Sequence, residues 1–412
     1  MGLPLLTMLH FPDHFRFGTS TSAVQIETAD NHDWQGFTAR DTSVFTRTTD
    51  HELHWEKDVE IISGLAPNYR MSFMWSRLQK SPLASFEPDA VNEYRKLLIL
   101  LKKRGVDIML VLHHFANPVW FSEKDGWSNP QSVVWWLDYV SKVIDEFGEF
   151  VSLWNTFNEP NLYISLSSLA GLFPPQKTNP FYAWRVLNNM SLAHKAAYEM
   201  LQMRTPSKPV GISHNASILE ADNLLGKLPA KISDWLYMDF IPGWFESCDF
   251  FGLSYYSRIG YDPFPVTYLN TPEKITKRGK PYDDMWEYYP EGLGICLDRY
   301  WKRFRKPIII TENGMCTSDD LKRINSIYDY MKIIHSCIEK GIDIRGYYHW
   351  SAWDNFEWNL GPSYRFGLYA CDPQTKERTK LPSADIYSSL AYSKKLMIPT
   401  TSDLHKVLVP VQ

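Results

Sequence analysis

Eight short runs rich in β-branched and aromatic residues recur along this chain, and longer stretches with helical periodicity separate them. That alternation constrains the fold more than any other feature, because parallel strands must be joined by crossovers of a dozen or more residues, usually helices. The runs are FRFGTS (15–20), NYRMSF (68–73), DIMLVLHH (107–114), FVSLWNTFN (150–158), PVGISHN (209–215), DFFGLSYY (249–256), PIIITEN (307–313) and IRGYYHWS (344–351). The spacing predicts helices around 53–64, 88–104, 130–147, 181–203, 293–304, 319–340 and 383–395. Segment 88–104 is apolar at helical intervals and stops at Gly105, a good C-terminal signal. Region 215–248 takes no clean assignment. Eight strands alternating with helices over 412 residues fit an α/β fold, a (β/α)8 TIM barrel with inserted loops, as a single domain over 1–412. A doubly wound open sheet is the alternative. No glycine-rich phosphate turn follows the first run, which counts against it.

In such a barrel the site forms where the strands end, so the residues at those ends test the fold. Gln25 and Glu27 lie just past the first run, and Arg70 is inside the second. His113 and His114 end the third, Asn158 and Glu159 the fourth, Tyr255 and Tyr256 the sixth, and Glu312 the seventh. Trp350 ends the eighth, ahead of SAWDNFEW with Glu357 and Trp358. Carboxylates, amides and aromatic rings dominate this set. Cleaving a glycosidic bond needs such groups: one carboxyl to protonate the leaving oxygen and one to attack the anomeric carbon or activate water. The donor's pKa has to be raised while its partner stays ionised.

Each residue also has a plainer explanation. Glu159 before Pro160 could cap a helix, and Glu312 in TENG could belong to a turn. Adjacent strand residues point to opposite faces, so at most one of His113 and His114 can look into a barrel. Arg70 is harder to dismiss, since a buried guanidinium wants carboxylate partners. No H-x-H pair is present, and neither a metal nor a cofactor is expected.

The bulk composition narrows the choices. The chain is 44% hydrophobic and 22% charged, enough for a large core. A net charge of −4 without a Lys/Arg stripe argues against nucleic acid as a partner. Sixteen Trp is a heavy count, and aromatic faces suit stacking on flat ligand surfaces. Five Cys without CxxC spacing suggest no disulfide framework and a reducing compartment. The apolar patch at the N-terminus has no basic region or small-residue cleavage site, so no signal peptide is read there. No apolar run is long enough for a bilayer. A cytoplasmic protein with no membrane partner is the expectation; oligomeric state is left open.

From FRFGTSTSAVQIE to RFGLYACD the chain resembles glycoside hydrolase family 1, the β-glucosidase and β-galactosidase family. TFNEP resembles its acid/base motif and ITENG its nucleophile motif. The resemblance implies a retaining exo-β-glycosidase acting on terminal β-linked monosaccharides, with Glu159 as acid/base and Glu312 as nucleophile. Its substrate would be a small β-glycoside or short oligosaccharide. By the same resemblance Gln25, His114 and Asn158 would bind sugar hydroxyls. Glu357 would grip the outer hydroxyls beside Trp358, and Trp350 would be the stacking floor. Tyr256 would hydrogen-bond the nucleophile, and Arg70 would keep Glu312 ionised. The chain departs from the family pattern at Val24, Thr28, Phe115 and Ser254, the last of which removes an amide near the nucleophile.

Overall fold

The computed structural model describes residues 7–262, 264–265, 281 and 283–398; residues 1–6 of the N-terminal apolar patch lie outside it. Eight parallel strands close on themselves: β1 (Arg16–Ser20), β2 (Asn68–Ser72), β3 (Asp107–His113), β4 (Val151–Asn158), β5 (Val210–Ala221), β6 (Phe250–Asp262), β7 (Ile308–Asn313) and β8 (Ile344–Trp350). Each pairs with the next in sequence, and β8 pairs in parallel with β1. The expected TIM barrel is present. These strands read as almost continuous apolar runs because both faces are covered, as in β3, where every residue after Asp107 is buried.

The outward faces join the main core against the surrounding helices. Met109, Leu153, Phe250, Ile309 and Tyr348 form a separate buried cluster from five different strands, one inward-facing layer of the barrel. Helix Pro88–Lys103 begins with proline at its first position, where no N–H partner is needed. Asn179 and Asp319 accept backbone N–H groups at the starts of helices Pro180–Arg204 and Asp320–Glu339. An antiparallel pair, Thr7–His10 with Lys395–Ile398, ties the two ends of the described chain together.

All eight expected strands and all seven expected helices are found, with ends displaced by a few residues. The larger errors are at β5 and β6, which the sequence pattern stops at 215 and 256. Both strands continue beyond the barrel as a two-stranded ribbon, with Ile218 opposite Arg258 and Ala221 opposite Tyr261. There the apolar rule fails because residues 218–221 of β5 are at most partly buried, while β6 buries Ser257 and Arg258, the latter paired with Glu220, Asp222 and Glu287. Region 215–248 holds the end of that ribbon, a helix at Lys227–Trp235 and a π-helical turn at Leu236–Phe240. Among the described residues no helix is long and apolar enough to cross a membrane.

Candidate active site

Glu159 follows β4 at the N-cap position of helix Pro160–Ile164, with φ of 44°. Such left-handed backbone costs a non-glycine residue roughly 1–3 kcal/mol. A capping bond would explain the placement, but the side chain makes none. The carboxyl faces a cavity of about 70 Å3 at the barrel mouth, where Asn215 Nδ2 donates to Oε2 at 3.2 Å. Phe115 and Trp358, with φ of 66° and 41°, line the same cavity. Three of the twelve non-glycine residues with positive φ among the described residues thus surround this one pocket.

Glu312 reaches this cavity from β7. Arg70 Nη1 donates to its Oε1 at 2.5 Å and the Tyr256 hydroxyl to its Oε2 at 2.9 Å. Arg70 is fully buried, and its Nη2 donates to Asn158 Oδ1 at 2.5 Å and to Ser213 Oγ at 3.3 Å. One guanidinium thus ties β2 to β4, β5 and β7. Two residues after Glu312, a Cβ on Gly314 would lie 1.9 Å from the Trp350 carbonyl oxygen, so only glycine lets these strand ends close up.

The two carboxyls share a charge problem. Burial raises the pKa of both, and the negative charge of Glu312 raises Glu159 further, to well above the carboxylate range. Arg70 bears directly on Glu312 and lowers its pKa against the burial, without bringing it down to the ordinary value. The proton of the pair therefore resides on Glu159. Glu357 is pushed up to about 8 by burial and then by Glu312, while Gln25 and the Trp350 indole bond to it and pull the other way.

His113 and His114 divide as their alternation requires. His114 lines the cavity, accepts from Asn158 Nδ2 at 3.0 Å, and is held neutral, chiefly by burial. His113 points the other way, its Nε2 3.0 Å from Asn117 Oδ1 and its ring edge-on to Trp127. Trp350, Trp358, Tyr256 and Glu357 all line the cavity. Gln25, Asn158 and Arg70 stand one layer behind: Gln25 Nε2 donates to Asn355 Oδ1 at 2.9 Å and Glu357 Oε2 at 3.3 Å. Among the described residues no group of three or more His, Cys, Asp or Glu could hold a metal.

Sequence reading passed over Asn215, which gives Glu159 an amide contact although Ser254 lacks one. It ends the run PVGISHN, so the strand-end rule applied to the other seven runs would have found it. Tyr237 donates to Asn215 Oδ1 at 2.8 Å from the region that took no assignment, and Trp286 lines the cavity with its ring 5.1 Å from that of Tyr256.

Two measurements test these electrostatics. Glu357 binds its proton more tightly folded than unfolded, so its contribution to stability is full below about pH 4.5 and is lost as pH rises through about 8; Glu159 shifts in the same direction. The Tm should fall between pH 6 and 9, and less steeply in Glu357→Gln; an equal slope would place the titration elsewhere. Arg70→Met should cost on the order of 3–5 kcal/mol in denaturant unfolding by stranding Glu312. Adding Glu312→Gln should recover part of that loss, because it removes the stranded charge.

The profile of glycosyl hydrolase family 1 matches residues 7–246 and 238–396. The chain is 27% identical to a β-galactosidase of Pyrococcus woesei, over 89% of this chain and 94% of that protein. It is 26% identical to β-glucosidase A of Thermotoga maritima, over 94% and 98%. Among solved structures, a β-glycosidase from Pyrococcus horikoshii superposes with a TM-score of 0.85 at 30% identity, covering 98% of this chain and 99% of that one. The T. maritima β-glucosidase in complex with deoxynojirimycin gives 0.83 at 25%, over 93% and 99%. With its closed barrel and a family match over nearly all the described residues, the chain belongs to glycosyl hydrolase family 1 and is a glycoside hydrolase.

Proposed function

We propose that this chain is a retaining exo-β-glycosidase in which Glu312 is the nucleophile and Glu159 the acid/base. One observation carries the reading: of the three buried carboxyls that face a single cavity, Glu159, Glu312 and Glu357, only Glu312 is bonded to a guanidinium. Glu312 attacks the anomeric carbon as Glu159 protonates the departing oxygen. Glu159, now a carboxylate, then takes a proton from the water that hydrolyses the glycosyl-enzyme. The carboxyl separation expected of this mechanism is roughly 5 to 5.5 Å.

Roles for the other residues follow from their positions. Glu357, His114 and Trp350 line the end of the cavity where a terminal sugar would rest, with Trp350 as its floor. Gln25 and Asn158 reach the sugar's edge or orient the residues that do. Tyr256 and Arg70 hold the Glu312 carboxylate in one orientation. The relatives' names, β-glucosidase and β-galactosidase, support terminal β-glucosides and β-galactosides; β-glucosides are our first candidate, and β-fucosides are a further one. The whole chain acts as one catalytic unit, and no cofactor enters the chemistry.

Glu312→Ala should lose activity on aryl β-glycosides by about 10⁴-fold or more, and azide should restore part of it with an inverted glycosyl azide as product. In the wild type, NMR should show the β-anomer released first; the α-anomer first would sink the retaining reading. Glu159→Gln should slow substrates with poor leaving groups by roughly 10²–10⁴-fold and spare activated ones. It should also remove the alkaline limb of the pH profile, since activity is lost there as Glu159 gives up its proton.

A further inference from the structure

Asn215 is held from several sides before its amide reaches Glu159. Its backbone N–H donates to Asn161 Oδ1 at 3.1 Å, and its carbonyl accepts from Asn161 Nδ2 at 2.8 Å. The same Asn161 amide donates to the Tyr237 carbonyl at 3.2 Å. Asn161 lies two residues beyond Glu159, so the helix that Glu159 heads is fastened both to β5 and to the π-helical turn Leu236–Phe240. All three of these residues are buried.

The orientation of the Asn215 side chain decides what it can do. An amide can turn either its oxygen or its N–H groups to a carboxyl, and only the second serves a carboxylate. Here Oδ1 already accepts from the Tyr237 hydroxyl at 2.8 Å and from the Ser217 hydroxyl at 3.3 Å. Nδ2 is left to face Glu159, and it donates to Oε2 at 3.2 Å. The shorter of the two bonds to Oδ1 comes from Tyr237, which otherwise lines a larger, mostly apolar cavity of about 460 Å3. An oxygen that accepts an N–H bond is the carbonyl oxygen of a neutral carboxyl, because a C–OH oxygen accepts poorly, so the proton of Glu159 is carried on Oε1. Once that proton has left, the same N–H steadies the negative charge. Burial and the charge of Glu312 raise the pKa of Glu159, and Asn215 is among the groups that pull it back. Among the described residues, Glu312 on β7, Arg70 on β2, Tyr256 on β6, and His114 and Glu357 in the cavity wall are the other titratable groups around it.

Resting on the reading of Glu159 as acid/base, we propose that Asn215 and Tyr237 are positioning residues for it. Tyr237 turns the Asn215 amide so that its N–H faces Oε2. In the first step this leaves the proton on Oε1, from which it passes to the departing oxygen. In the second it holds the carboxylate in place to take a proton from water. Tyr237 touches neither Glu159 nor the cavity where the sugar would rest, and acts only through the amide.

The test is the pH dependence of aryl β-glycoside hydrolysis by the full chain, by Asn215→Ala, by Tyr237→Phe and by the double variant. Asn215→Ala removes a hydrogen bond to a charged group, so the alkaline limb of kcat/KM should move up by roughly one to two pH units. Tyr237→Phe should move it in the same direction by less and lower kcat roughly tenfold, with KM little changed. The double variant should be no worse than Asn215→Ala alone, since Tyr237 has to act through Asn215. A loss of activity with the limb unmoved would leave both residues a purely structural part and overturn the proposal. Additive losses in the double variant would overturn it too. The wild type offers a readout that needs no variant to fold: the side-chain amide NMR signal of Asn215 should shift with the midpoint of the alkaline limb. A signal that stays flat through that midpoint would overturn the proposal while leaving Glu159 as the acid/base. No turnover of any aryl glycoside by the wild type would instead remove the glycosidase reading itself.

Discussion

A guanidinium shut away from water can find hydrogen-bond partners only in protein, and at Arg70 the two Nη groups find theirs across the barrel, while Nε is left without one among the described residues. Its Nη groups reach Ser20, Asn158, Ser213 and Glu312, which belong to four other strands. Removing any one partner leaves charge or donors stranded in a low-dielectric interior. The group that holds the strands in register is therefore also the one that makes Glu312 unlike Glu159. Two acids of the same type, in the same cavity, differ because only one has the cation. Difference of environment, rather than of residue, is what lets a pair of carboxyls divide the labour of acid and base.

The rim of the barrel is built on other terms. Phe115, Glu159 and Trp358 all hold left-handed backbone where regular strand or helix would be cheaper. The closed sheet below fixes them there. Beyond the rim, β5 and β6 keep pairing after the barrel has ended and carry Leu219, Ile259 and Tyr261 against the helix that Glu159 begins. The polar pocket and a larger, mostly apolar space thus share a wall at Leu162, Leu166 and Ile259. The hydrogen bonds from Tyr237 through Asn215 to Glu159 cross that wall.

Much of this was legible in the residues. The alternation of runs announced the barrel, since strands covered on both faces have to be apolar throughout. Strand ends announced Glu159, Glu312, Tyr256 and Trp350 by the same logic. What stayed hidden was structure set by long-range contacts. In the ribbon β5 is only partly buried while β6 buries Ser257 and Arg258, so the pattern matches neither a buried apolar strand nor a helix, and the π-helical turn at Leu236–Phe240 has no periodicity of its own. Asn215 was readable and was missed for lack of a familiar motif around it. Charges were only partly readable. Arg70 lowers the pKa of Glu312, the direction expected of it, while burial raises it, and the net shift is upward. No sequence pattern reports how completely water is excluded.

The pairing of β8 with β1 joins the last barrel strand made during synthesis to the first. Until Ile344–Trp350 has left the ribosome, β1 has an open edge and so does the growing sheet. The ion pair of Arg70 and Glu312 spans 242 residues and cannot form early either. Long-range closure of this kind folds slowly, and unpaired edges recruit strands from other chains. The molecule thus passes its period of greatest vulnerability before it has ever been native, and its yield in a cell depends on what shields those edges then.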